Sequence, residues 1–167
     1  MHQEEWVDWV DEQNRVIAAV PRSQMRREHL PHRASYIFII DSNSRLYVQR
    51  RTLTKDYCPG MLDACCGGVV QAGEAILPSA LRELEEEMGI RDTELTAWGD
   101  AWLVNEQNRV WASLFSCHYD GELTLQQSEV EAVLMMSEQE IEQRAAEFTP
   151  DSIAALHIWQ QRRERGS

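Results

Sequence analysis

The run Arg82-Glu83-Leu84-Glu85-Glu86-Glu87-Met88-Gly89-Ile90 places four glutamates in five consecutive positions. On a helix, at about 100° per residue, Glu83 and Glu87 lie about 40° apart, and Glu86 completes an arc of about 100°. Like charges at i, i+3 and i+4 repel by several tenths of a kcal/mol per pair, and helix propensity does not ask for them. A divalent cation turns that repulsion into a binding site, and a set of oxygen ligands suits Mg²⁺ or Mn²⁺. Glu85 points away from the arc and reads as solvent-facing. An isolated acidic run is most often just a solvated face, but the flanking residues argue against that here. Gly68 and Gly73 allow tight backbone ahead of the run. Glu74 falls near the helix N-terminus, where an anion is favoured. Arg82 offers a guanidinium that can hold Glu74 or a neighbouring carboxylate.

Positioning such a site takes a folded domain, and the chain can supply one. Its 167 residues are 43% hydrophobic and 26% charged, enough for one compact domain with a buried core. Residues 15–20 read as a strand, and the charged stretch 22–33 as a helix that Pro31 ends. Residues 35–40 form a continuous buried-strand pattern rich in β-branched residues, 41–44 a turn and 45–50 an alternating strand, together a hairpin. Residues 62–70 read as extended. The clearest helix is 76–88, with Pro78 in its first turn, Leu77, Leu81, Leu84 and Met88 at helical spacing, and Gly89 as its stop. Strands follow at 96–104, 109–119 and 131–136. Ser137-Glu138-Gln139-Glu140 opens a helix as a capping box, and a last helix runs over 151–163. Strands first and helices at mid-chain and end predict an α/β (α+β) fold, a mixed sheet sandwiched by helices. Residues 1–167 read as one domain, with 1–30 an extension that Trp6 and Trp9 pack onto it or present to a second copy.

The net charge is −12, from 16 Lys plus Arg and 28 Asp plus Glu. That disfavours a nucleic-acid polymer or an anionic membrane as partner. The split is uneven: −5 over residues 1–12, +6 over 13–62 and −13 over 63–167. The acids of 1–12 and those beyond 119 read mostly as solvated surface. The opening Met1-His2-Gln3-Glu4-Glu5-Trp6 has no apolar run for a secretory signal. Cys58, Cys65, Cys66 and Cys117 show no disulfide spacing, and reduced thiols in a cytoplasmic protein are the plain expectation.

Residues 68–90 fit G-x5-E-x7-R-E-U-x-E-E-x-G-U, with U a bulky aliphatic, at every specified position. That pattern resembles the signature of the Nudix superfamily. The resemblance implies an α/β/α sandwich with the box as a loop–helix–loop, and metal-dependent hydrolysis of a nucleoside diphosphate linked to another moiety. It implies Mg²⁺ or Mn²⁺ on Glu83, Glu86 and Glu87, with the Gly68 backbone as an extra ligand. It assigns catalysis to Glu86, Glu87 and Arg82, and a structural role in the box to Glu74 and Gly89. It leaves the general base open among Glu86, Glu87 and carboxylates outside the box, such as Glu106, Glu129 or Glu131. The partner it implies is a small-molecule diphosphate, and it leaves room for a homodimer.

The flanks resemble isopentenyl-diphosphate isomerase, itself of Nudix fold, through Pro31-His32-Arg33-Ala34, 49–55 and 59–67. Cys66 matches that enzyme's catalytic cysteine, and Arg51 and Lys55 match its diphosphate-binding bases. Alternation sends Arg50 and Arg51 to opposite faces, which favours Arg51. The departures weigh against isomerisation: Gly68 stands where the isomerase has a metal-binding histidine, and Arg109 where it has its catalytic glutamate. Cys66 then reads as a small buried hydrophobe, His32 as a surface histidine and Trp111 as packing. The whole chain is most similar to YfcD-type bacterial Nudix proteins. The expected activity is phosphoanhydride hydrolysis; an isomerase and a non-catalytic sensor of a nucleotide metabolite are the alternatives.

Overall fold

The continuous buried-strand pattern in the first third of the chain becomes the central strand of a sheet. The computed structural model describes residues 4–166; the first three residues of the N-terminal segment, His2 among them, lie outside the described residues. In chain order the elements are β1 (Trp6–Val10), β2 (Val16–Pro21), α1 (Arg22–Glu28), β3 (His32–Ile40), β4 (Leu46–Arg51), β5 (Leu62–Asp63) and α2 (Ile76–Met88). Then follow β6 (Thr96–Val104), β7 (Arg109–His118), β8 (Val130–Met136), α3 (Glu138–Gln143), a 3₁₀ turn at Ala145–Glu147 and α4 (Pro150–Gly166). The main sheet runs β5-β4-β3-β7-β6, with β8 on β4. β3 and β7 are parallel from His32↔Val110 to Ile40↔His118, and the other pairs are antiparallel, so the sheet is mixed.

Side chains alternate across β3. Ile37 and Ile39 pack with Leu84 and Met88 of α2 on one face. Tyr36 and Phe38 pack with Ile141 of α3 and Leu156 and Trp159 of α4 on the other. The result is the expected α/β/α sandwich. Phe38 and Trp159 stack with centroids 4.5 Å apart and planes within 2°. The capping box forms as read: Glu140 N–H donates to Ser137 Oγ and Ser137 N–H to Glu140 Oε1, both at 3.1 Å.

The expected hairpin of 35–40 with 45–50 is reduced to one closing pair, Ile40↔Leu46. Beyond it the strands splay, because the chain after β5 enters between them. β5 pairs with β4, and further bridges join Cys66 to Ile37 and Val69 to Ala34. Four backbone bonds tie this wedge to β3: Ile37 N–H to Cys66 O at 2.7 Å, Cys66 N–H to Ile37 O at 2.9 Å, Ser35 N–H to Gly68 O at 3.0 Å and Val70 N–H to Arg33 O at 2.9 Å. The wedge carries Gly67 and Gly68 into the sheet.

The N-terminal segment also differs from its reading. It contains an unforeseen strand, β1, paired with β2. Val7 and Val20 pack with Met25 and Val69, while Trp6 stays exposed. The helix over the charged stretch stops at Glu28, before Pro31, because His29 turns left-handed at φ 52°. The acids of 1–12 are not merely solvated: Glu5 pairs with Arg22, Asp8 lies near Arg33 and Asp11 pairs with Arg15. Beyond residue 119, Glu129, Glu138, Glu142 and Glu147 likewise have basic partners.

In α2, Leu77 and Leu81 are exposed, and the buried positions are Ser79, Ala80, Leu84, Glu87 and Met88. The buried arc is rotated by about 60° from the leucine stripe, toward the carboxylates.

Trp159→Ala is expected to destabilise the protein by about 3–5 kcal/mol, through lost burial and the cavity under Phe38. Chemical denaturation checks it; a loss below about 1 kcal/mol would mean this face of the sheet does not depend on α4.

Candidate active site

The box begins with a loop fixed from outside. Asp8 Oδ2 accepts from Gly73 N–H at 3.1 Å, and Trp6 O accepts from Ala72 N–H at 2.8 Å. Arg82 then organises the acids. Its Nε and Nη2 donate to the two carboxylate oxygens of Glu74, each at 2.9 Å, a fork-on-fork pair. Its Nη1 lies 3.0 Å from Glu86 Oε2 and 3.1 Å from Glu83 Oε1. The Arg82 side chain holds the Glu74 carboxyl below its usual value. With its donors spent on carboxylates, Arg82 is placed to position other groups. Gly89 ends α2 at φ 71°, its N–H donating to Glu85 O at 2.9 Å; a Cβ there would meet Thr124 at 2.8 Å.

Glu83 and Glu87 share the inward side of the helix. Glu87 is 7% exposed, and burial with Glu83 beside it pushes its carboxyl well above the usual range. Glu83 faces Gly68 so closely that a Cβ there would lie 3.0 Å from its carboxylate carbon. Gly68 O accepts from Ser35 N–H at 3.0 Å and keeps its second lone pair. Glu86 is half exposed, at the rim with Arg82. The structure thus joins Glu83, Glu87 and Gly68 and sets Glu86 beside them, without three acidic or imidazole groups closing on one point among the described residues. Two adjacent carboxylates, one of them buried, beside Gly68 offer oxygen donors that suit a hard divalent cation.

Next to Gly68 a pocket opens, lined by both predicted substrate bases, Arg51 and Lys55. Arg51 is held by Asp63 at 2.7 Å and by Tyr57 O at 3.0 Å. Lys55 pairs with Glu129, and its charge also acts on Glu87. Of the acids named outside the box, only Glu129 is so linked; Glu106 and Glu131 are exposed.

Several pocket residues went unread in the sequence. Arg22 and Arg26 reach it from α1, with Tyr57, Asn108 and Asp151. Asp151 accepts from Tyr36 Oη at 2.7 Å and Tyr57 Oη at 3.0 Å, and burial with Asp63 nearby pushes its carboxyl up. The available signal was the i, i+4 spacing of Arg22 and Arg26. His32 is not at the surface: it is 1% exposed in the pocket wall, with Nδ1 2.9 Å from Leu30 O, and burial and Arg26 hold its imidazole down to about 3. Cys66 is buried as expected, and burial with Glu87 and Glu83 nearby pushes its thiol up. Trp111 packs by Trp102 at 5.8 Å and donates to Asp100 at 3.1 Å, away from the pocket. All four cysteines are free.

Residues 30–156 match the NUDIX domain. The chain is 50% identical over 158 residues to the Nudix hydrolase YfcD of Escherichia coli K12, covering 95% of this chain and 88% of that one. It is 42% identical over 157 residues to the Nudix hydrolase PA4841 of Pseudomonas aeruginosa, with 93% of each covered. The crystal structure of DR0079 from Deinococcus radiodurans superposes with a TM-score of 0.79 at 20% identity, over 93% of this chain and 98% of that one.

His32 supplies a pH prediction. Its folded value lies below the unfolded 6.5, so the unfolded chain binds the proton more readily. Its contribution is complete above about pH 6.5 and is lost as pH falls toward 3, by at most about 1.4 kcal/mol per pH unit. His32→Gln is expected to flatten that loss in urea denaturation between about pH 6.5 and pH 4; an unchanged slope would show that the imidazole charges freely in the fold.

Proposed function

Because the chain belongs to the NUDIX family of pyrophosphate-bond hydrolases, we propose that it is a divalent-metal-dependent hydrolase. It cleaves a phosphoanhydride in a nucleoside diphosphate linked to another moiety, or in a related diphosphate. The observation that carries this reading is the pairing of Glu83 with the buried Glu87 against Gly68, beside a pocket lined by Arg51 and Lys55.

In this reading Glu83, Glu86 and Glu87 hold Mg²⁺ or Mn²⁺, with Gly68 O as a further ligand. When bound, such an ion would offset the charge of the diphosphate and lower the pKa of a water. The chain's own groups do the rest. Arg82 keeps Glu83 and Glu86 in place while Glu74 fixes Arg82. Lys55 and Arg51 hold the anionic substrate in the pocket. A carboxylate of the site takes the proton of the attacking water.

The isomerase alternative needs an ionisable thiol at Cys66 and an acid at position 109. Burial raises that thiol, and Arg109 is exposed. A sensor would bind a nucleotide metabolite without turning it over.

With Mg²⁺ or Mn²⁺ and a panel of nucleotide and non-nucleotide diphosphates, the wild type is expected to release phosphate. Glu87→Gln should lower turnover at least about 100-fold with an unchanged circular dichroism spectrum. Unchanged turnover in that variant would remove the carboxylate-helix mechanism, and wild-type binding without turnover would favour the sensor.

A further inference from the structure

Four cations line the pocket beside Gly68, and they are not equally neutralised. Arg22 is chelated by Asp56, at 2.9 and 3.2 Å, and reaches Glu5 at 3.1 Å. Arg51 has Asp63 at 2.7 Å. Lys55 has Glu129. Arg26 is less fully matched: its Nε forms only a long ion pair with Asp56, at 3.6 Å and without a hydrogen bond, and Asp56 is already engaged by Arg22. Arg26 donates from Nη1 to Asn108 Oδ1 at 3.2 Å, while its Nε is buried without an acceptor. A guanidinium carries five donors in a planar fork, so most of its capacity is unspent.

Its surroundings keep it there. Arg26 is only 16% exposed, and its guanidinium carbon lies 5.1 Å from the centre of the Tyr57 ring, which also takes Arg51 at 5.8 Å. Burial and the like charges of Arg22 and Arg51 make its proton less firmly held than usual. His32, in the same wall, is neutral at pH 7 and adds no charge. A guanidinium that shares one carboxylate with Arg22, in the wall of a cavity lined by three further cations, is complemented by an anion with several acceptor oxygens.

We propose that Arg26 is a substrate-specificity residue, its guanidinium binding phosphate oxygens in the pocket wall that it shares with Tyr57 and Asn108. The substrate then carries a phosphoryl group beyond the one that faces Glu83 and Glu87. This rests on the hydrolase reading above. Arg26 lies outside residues 30–156 of the domain match, so this part of the selectivity comes from the N-terminal extension.

The test is calorimetric titration of the full chain with inorganic pyrophosphate in a metal-chelating buffer. Arg26→Gln is expected to weaken pyrophosphate binding about ten-fold or more, as loss of a charge-assisted hydrogen bond does. Arg27→Gln, on the exposed side of α1, should bind as the wild type does. Arg26→Lys keeps the charge but loses the fork and should fall between; if Arg26→Gln melts early, this variant is read in its place. Wild-type affinity in the Arg26 variants, equal weakening by Arg27→Gln, or no pyrophosphate binding by the wild type would overturn the assignment. Turnover on the diphosphate panel is read separately. Arg26-dependent binding without turnover keeps the anion site and removes the hydrolase; turnover with Arg26-independent binding does the reverse.

Discussion

A guanidinium has five N–H donors and no acceptor, and Arg82 directs its donors at three carboxylates that would otherwise repel one another. Remove that fork and the loop keeps its outside anchors at Asp8 and Trp6 but loses its tie to the acids of the helix. Glu74, in the loop, would lose its link to the helix, and Glu83 and Glu86 would turn to water. With the fork in place, the loop end, the first turns of α2 and the acidic arc form one unit. Glu87 can then be buried beside Glu83 at a cost that the rest of the fold must meet. Leu84 and Met88 meet it by packing the same helix against Ile37 and Ile39.

What was legible in the sequence is what is local. The box is a run of 23 residues, so its loop, its helix and the Gly89 stop were readable from spacing, as was the capping box at Ser137. What failed was non-local. The splaying of β3 and β4 depends on a segment that arrives many residues later and takes the hydrogen bonds a hairpin would have used. His32 looked like a surface residue because the pocket wall that buries it, shared with Asn108 and Val110 from far along the chain, leaves no trace in local spacing. Leu77 and Leu81 completed a periodic stripe, yet the helix rolled toward its carboxylates and left both in solvent.

The uneven charge follows from the same geometry. The basic stretch of 13–62 faces two acidic partners. Toward the N-terminus, Glu5, Asp8 and Asp11 reach Arg22, Arg33 and Arg15. Toward the site, Arg51 and Lys55 meet Asp63 and Glu129. The excess negative charge in α2 is concentrated where Glu83 and Glu87 meet, and opposite charge lines the adjoining pocket.

The wedge between β3 and β4 divides the molecule by its tolerance of change. The stretch 62–69 is stitched to strands on both sides, so a residue inserted or deleted there would shift Gly68 away from Glu83 and invert the faces of its neighbours. The preceding stretch, 52–61, is held by turns and bounds the pocket through Lys55 and Tyr57. Descendants of one ancestor can therefore change length and sequence in the second stretch, and with it what the pocket accepts, while the first keeps its length.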